Sequence, residues 1–120
     1  MYQHVNHATM VTILEEARVP FLRPAFEPDI ATTGLLIAEV KVGYKGQLRL
    51  ADSPLQVTIW VNRLRAVDFT LGYEVRSVLA DPDSKPAVIA ETQLAAFHIE
   101  EQRLLRLTPP QREYLEKYLR

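Results

Sequence analysis

Along residues 7–19 the apolar positions Met10, Ile13, Leu14 and Ala17, continued by Phe21, recur at intervals of three and four. That spacing predicts an amphipathic helix with a single apolar stripe. Asn6 stands where an N-cap is needed, its side-chain oxygen able to accept a backbone N–H of the first turn. Pro20 has no N–H to give the carbonyl of residue 16 and crowds it, so the regular helix is expected to end or kink there. The stretch RPAFEPDIATTG, Arg23 to Gly34, is broken by Pro24 and Pro28 and reads as a connector.

After Gly34 the period becomes two. In LLIAEVKVGY the residues Leu36, Ala38, Val40, Val42 and Tyr44 share one face, with Glu39 and Lys41 on the other. KGQLRLADSP turns the chain. LQVTIWVNRL continues the alternation, Leu55, Val57, Ile59 and Val61 facing opposite to Thr58, Trp60 and Asn62. VDFTLGYEVRSVL places Phe69, Leu71, Tyr73 and Val75 together. After the Asp- and Pro-rich turn ADPDSK, PAVIAETQLAAFHIE aligns Val88, Ala90, Thr92, Leu94, Ala96 and His98. TPPQREYLEKYLR closes the chain as a short amphipathic helix. Thr108 lies near its start, two prolines in its first turn, and Leu115, Tyr118 and Leu119 are its apolar positions.

Helix, four meandering strands, short helix is therefore the expected order, with successive strands antiparallel. A long apolar-striped helix must bury its stripe, and one face of the sheet is the only large partner. The fold class is α+β, an antiparallel sheet curled around a central helix. At 120 residues the chain is one domain. A net charge of −1 excludes the basic surplus that nucleic-acid binding needs. No apolar run approaches a membrane span. The absence of cysteine removes disulfides, thiolate metal sites and a cysteine nucleophile. His4 and His7 stand three apart with no further His or Cys cluster to complete a zinc shell, so no metal is expected. A cytoplasmic location is the default.

HVNHATMVTILEEAR, starting at His4, resembles the motif of hotdog-fold acyl-CoA thioesterases of the 4-hydroxybenzoyl-CoA thioesterase-like group. It is also similar to the QHVNN segment of acyl-acyl carrier protein thioesterases. VKVGYKGQL and VNRLRAVDFTLGYEV are similar to later strands of the same family, so the resemblance covers nearly the whole chain. It implies a hotdog fold, hydrolysis of an acyl-CoA or acyl carrier protein thioester, and no cofactor beyond the coenzyme A of the substrate. It also implies a homodimer or homotetramer sharing its sites between protomers. Leu35 and Ile37 opposite Leu36 and Ala38 make the first strand apolar on both sides, as a covered strand would be.

One departure bears on the chemistry. The family's catalytic aspartate lies four positions before the histidine of HVN, and that position would immediately precede Met1. The family's first β-strand is missing with it. The expectation is that Met1 is an internal methionine of a longer natural protein; the rival is a short homologue that lost strand and acid. Competing functions are a hotdog binding or assembly module without hydrolysis, and a hydratase-type hotdog enzyme.

Thioester hydrolysis needs a nucleophile and donors aimed at the developing oxyanion. By the resemblance, backbone N–H groups at the helix start meet the carbonyl, where the helix dipole favours negative charge. Asn6 would orient water or the carbonyl, with a plain N-cap as the alternative. His4 would donate a hydrogen bond or shuttle a proton, with a loop residue bonded to backbone as the alternative. His7 reads as a first-turn residue. With that aspartate missing, Glu15 and Glu16 are the helix carboxylates left to serve as the base, and Glu16, at the margin of the stripe beside Thr9 and Thr12, is the better candidate and expected half-buried. Pairing of either with Arg18 or Arg23 is the competing reading. Arg63 and Arg65 would meet the phosphates of the carrier, although Asp68 stands where the family often has a small hydroxyl residue, and surface ion pairing competes. Tyr44 and Trp60 would line an acyl pocket, against a plain core role.

Overall fold

Residues 5–120 are described by the computed structural model. The elements run α1 (His7–Phe26), β1 (Thr33–Tyr44), β2 (Leu55–Leu64), β3 (Asp68–Ser77), β4 (Val88–His98), β5 (Arg103–Leu104) and α2 (Pro109–Glu116). Short 3-10 turns occupy Glu27–Asp29 and Leu50–Asp52.

α1 does not stop at Pro20. It continues through Pro20 and Pro24 to Phe26, absorbing the start of the expected connector. Both prolines are exposed and four residues apart, on one face. The carbonyls of Glu16 and Pro20 that lose their donors are therefore on the solvent side, where water can replace them. The buried stripe also differs from the expected one. It steps by four through Met10, Leu14, Arg18 and Leu22 before ending on Ala25 and Phe26. Ile13, Ala17 and Phe21 are half-buried. Phe21 faces α2, its ring edge-on to Tyr114 and Tyr118 at centroid separations of 6.0 and 5.1 Å.

The sheet is antiparallel in the order β1-β4-β3-β2, with β5 added to the end of β4. β2, β3 and β4 form the expected meander, but β1 lies at the far edge, beside β4 rather than β2. The chain leaving β1 is caught at the start of β4, where the N–H groups of Lys45 and Gly46 both donate to the Ala87 carbonyl at 2.8 and 3.0 Å. Residues 45–54 then cross the ends of β4 and β3, about 14 Å at three strand spacings. The fifth strand, β5, was not expected from the pattern. It follows a tight reversal in which Gln102 takes the left-handed φ of 53° without a glycine to signal it.

Alternation places the core face correctly in three strands. Phe69, Leu71, Tyr73 and Val75 are fully buried, as are Val88, Ala90, Thr92, Leu94 and Ala96 to within 2%. In β1 the alternation breaks. The register against β4 shifts between Ile37 and Glu39, so Ala38 is bulged out. Leu35 and Ile37 therefore share the helix-facing side with Val40, Val42 and Tyr44, opposite Ala96, Leu94, Thr92, Ala90 and Val88. The apolar residues on both sides of this strand reflect the bulge, not two covered faces.

α2 begins with a reciprocal capping box between Thr108 and Gln111. Gln111 is 2% exposed and its amide donates to Asp29 at 2.9 Å, tying α2 to the turn after α1. Leu115 is buried, but Tyr118 and Leu119 have left the helix. They lie along the edge of β2, where Val61 donates to the Tyr118 carbonyl and accepts from the Arg120 N–H, at 2.8 and 2.9 Å. Among the described residues no helix is long and apolar enough to cross a membrane.

On the sheet face away from α1, Trp60 lies over Gly72, where a Cβ would stand 2.5 Å from the indole. The ring is held by its Nε1–H donating to Asn62 at 2.5 Å and by the Arg120 guanidinium 4.4 Å above it. Gly72→Ala should displace the ring and cost about 1–3 kcal/mol. Trp60 is the only tryptophan, so the displacement should appear as a red shift of intrinsic emission together with a lower Tm. Unchanged emission and Tm would show that the indole is not confined by this contact.

Candidate functional site

The start of α1 is built by local bonds. The Val5 N–H donates to the Leu48 carbonyl at 2.9 Å, holding the approach to the helix against the loop after β1. Asn6 then takes an extended backbone, φ −81° and ψ 169°, and its Oδ1 accepts the Thr9 N–H at 2.8 Å. Its own carbonyl accepts the Met10 N–H at 2.9 Å. The expected N-cap is thus formed. It leaves the His7 and Ala8 N–H groups without an acceptor among the described residues, pointing out of the positive end of the helix dipole.

Beside these donors the β1 bulge delivers Tyr44. With Ala38 extruded, Tyr44 falls on the helix-facing side, and its hydroxyl lies 2.6 Å from His7 Nδ1, the rings edge-on at 5.8 Å. Burial pushes the Tyr44 phenol above its ordinary 10.0. It therefore keeps its proton at neutral pH and can donate it to Nδ1, which leaves the imidazole hydrogen on Nε2. A small cavity of about 170 Å³ adjoins the pair, lined by Val5, Met10, Tyr44, Gln47, Leu48 and Val88. His7 is the first-turn residue expected, and its contact with Tyr44 is the new feature. Its partner lies 37 positions away across a register shift, and no local signal announces the pair.

The other expected site residues are dispersed. His4 lies outside the described residues. Glu15 and Glu16 are both exposed, so Glu16 is not the half-buried carboxylate expected. They stand about 14–15 Å along the helix from Asn6, too far to share its carbonyl-binding end within one protomer. The expected pairing partners are taken up elsewhere: Arg23 faces Glu27 at 3.6 Å and Arg18 faces Tyr73. Trp60 and Arg63 lie on the outer face of the sheet and do not line a pocket beneath α1. Arg63 borders an outer groove of about 310 Å³ together with Glu39, Lys41 and Glu91, a mixed-charge surface rather than a phosphate cradle. Arg65 is held by Asp68 at 2.9 Å, the surface-pair alternative. Among the described residues, Asn6 and Tyr44 are the expected site residues at the helix start, Tyr44 reaching it through His7, the residue after Asn6.

A second, larger cavity of about 660 Å³ lies between the later turns of α1 and the first half of β1. Leu22, Phe26, Leu35, Ile37 and Leu94 make it largely apolar, and Arg18 enters it from the buried stripe. Both cavities follow the seam between α1 and β1.

Comparison with known proteins agrees with this architecture. No curated protein matches the chain. Among solved structures it is similar to the probable thioesterase YbaW from Escherichia coli, with 24% identity and a TM-score of 0.82, covering 100% of this chain and 90% of that one. It is also similar to SAV2348 from Staphylococcus aureus in complex with CoA, at 14% identity and TM-score 0.80 over 98% of this chain and 74% of that one. The DHNA-CoA thioesterase from Staphylococcus aureus aligns at 18% identity and TM-score 0.76, over 96% and 78% of the two chains. The fold is thus the hotdog arrangement, an antiparallel sheet with a long helix packed on one face. The family model described as the thioesterase-like superfamily matches residues 1–116. The chain belongs to the thioesterase-like superfamily.

Proposed function

We propose that this protein hydrolyses an acyl-CoA thioester, with the acyl carrier protein thioester as the alternative carrier, and that the start of α1 binds the reacting carbonyl. The observation that carries the reading is the pair of unaccepted N–H groups at His7 and Ala8, next to the His7–Tyr44 contact. A CoA complex of one structural neighbour and the CoA substrate in the name of another favour coenzyme A as the carrier.

In this mechanism the thioester oxygen sits against the two N–H groups, where the helix dipole opposes its developing negative charge. Tyr44 donates to Nδ1 of His7, and the Nε2–H donates toward the same oxygen. Water adds to the carbonyl carbon, the carbon–sulfur bond breaks, and the departing thiolate takes up the proton that the water loses, leaving a free acid and a thiol. His4 is assigned the proton transfer, and Asn6 keeps the helix start in place. The long β1 edge, with Leu36 at 47% and Ile37 at 50% exposure, is where a second copy would pair to form the homodimer.

Thiol release from a panel of acyl-CoA substrates tests the reading. The wild-type chain should turn over at least one of them, and His7→Ala should lower kcat about 100-fold with a smaller change in KM, as loss of an oxyanion donor does. Turnover of none by the wild type would leave a binding module.

The pH dependence follows from Tyr44. Its folded pKa lies above the unfolded 10.0 because burial disfavours the phenolate. The associated stability is complete below 10.0 and is lost as pH rises through the folded value. Thermal unfolding followed from neutral pH into the alkaline range should show a fall in Tm that is shallower in Tyr44→Phe. Identical slopes for the two proteins would contradict the assignment.

A further inference from the structure

Arg18 is 92% buried on the stripe that α1 presses against the sheet, a place where every other buried residue is apolar. Its Nη1 lies 3.5 Å from the Tyr73 hydroxyl, at the outer limit of a hydrogen bond. Among the described residues no carboxylate lies within ion-pairing distance of it. Glu15 borders the same cavity but is exposed and does not pair with it. Thr92, one register step from Tyr73 on the same sheet face, also has a buried hydroxyl with no partner. Removing a guanidinium from water is costly unless an anion meets it with good geometry. Its planar fork is shaped for two parallel bonds to a carboxylate.

Arg18 also lines the cavity of about 660 Å³, whose other walls are mostly Leu22, Phe26, Leu35, Ile37 and Leu94. That volume is within the range of small-molecule sites, and Arg18 is the one buried charge on its wall, Glu15, Arg23 and Glu27 lying at the exposed rim. Arg18 stands about 18 Å along α1 from Asn6, too far to touch a thioester carbonyl held at the helix start. The charge is therefore placed for the distal end of a bound chain. We infer that this cavity binds the far end of an acyl chain that carries a carboxylate there, with Arg18 as its bidentate partner. The substrate class is thus an ω-carboxyacyl thioester. The inference rests on the thioesterase reading for its substrate form, but binding of the carboxylate itself does not.

Two measurements keep the two ideas separable. The first is binding by calorimetry of dodecanoate against dodecanol, probes of one chain length that differ in the charged end. The acid should bind at least about tenfold more tightly, and Arg18→Met should abolish the difference while Arg18→Lys, which keeps the charge without the fork, retains part of it. The second is kcat/KM for tetradecanedioyl-CoA against tetradecanoyl-CoA. The ratio should favour the dicarboxylic substrate and fall about tenfold or more in Arg18→Met, a change that general damage to the fold would not produce. Equal binding of acid and alcohol by the wild type overturns the inference, whether or not thioesters are cleaved and even if Arg18→Met fails to fold. A variant that loses its dimer while keeping both ratios would overturn it too, and would give the guanidinium to a carboxylate of a second copy. Carboxylate-selective binding without any thioester cleavage would uphold the site and remove the thioesterase reading.

Discussion

The stripe of α1 from Met10 through Leu14 and Leu22 to Phe26 shares one core with the alternate residues of β3 and β4. Phe26 stacks on Phe69 with ring centroids 5.7 Å apart and planes inclined by 21°. Each large aliphatic side chain buried there contributes on the order of 1.5–3 kcal/mol. That burial carries the helix through Pro20 and Pro24, where local preference alone would stop it. It also sets the axis of α1 over the sheet, and the axis sets where the helix starts and what lies beside it.

Placement of β1 is the second consequence. Because the chain is caught at Ala87 as it leaves β1, this strand takes the free edge of β4. The seam between α1 and β1 is left open along its length, with a small cavity at the helix start and a larger one beneath the later turns. The bulge at Ala38 turns Tyr44 toward the helix at one end while keeping Leu35 and Ile37 on the cavity side at the other. A single extruded residue therefore shapes both ends of the candidate site.

Much of the fold is legible from periodicity. Strands β2, β3 and β4 fall where alternation places them, and their buried faces are the predicted ones, because each is a regular strand with one face on the helix. The N-cap at Asn6 and the first turn of α2 are legible because capping is a local bond between near neighbours. The candidate site is much less so. Asn6 and Tyr44 lie at the helix start, but Trp60, Arg63 and Arg65 belong to other surfaces, since residue type and spacing do not say which side of a bulged strand faces a helix, and Glu15 and Glu16 stand exposed turns away from it. His7 is a first-turn residue as its position implies, and Arg18 is not the partner of the helix glutamates. Each acquires its meaning from a tyrosine on a distant strand, Tyr44 for one and Tyr73 for the other.

By itself, then, the sequence determined the class of fold, the family motif at the helix start, and the faces of the regular strands. These follow from interactions within a few residues or from a simple repeat. Tertiary structure alone decided the strand order, the continuation of α1 past its prolines, the Tyr44–His7 contact, and the burial of a guanidinium in an apolar cavity. The reason is common to all four. Each is an outcome of long-range packing, in which removal of apolar surface from water outweighs the local cost of a missing hydrogen bond, a bulge or a desolvated charge.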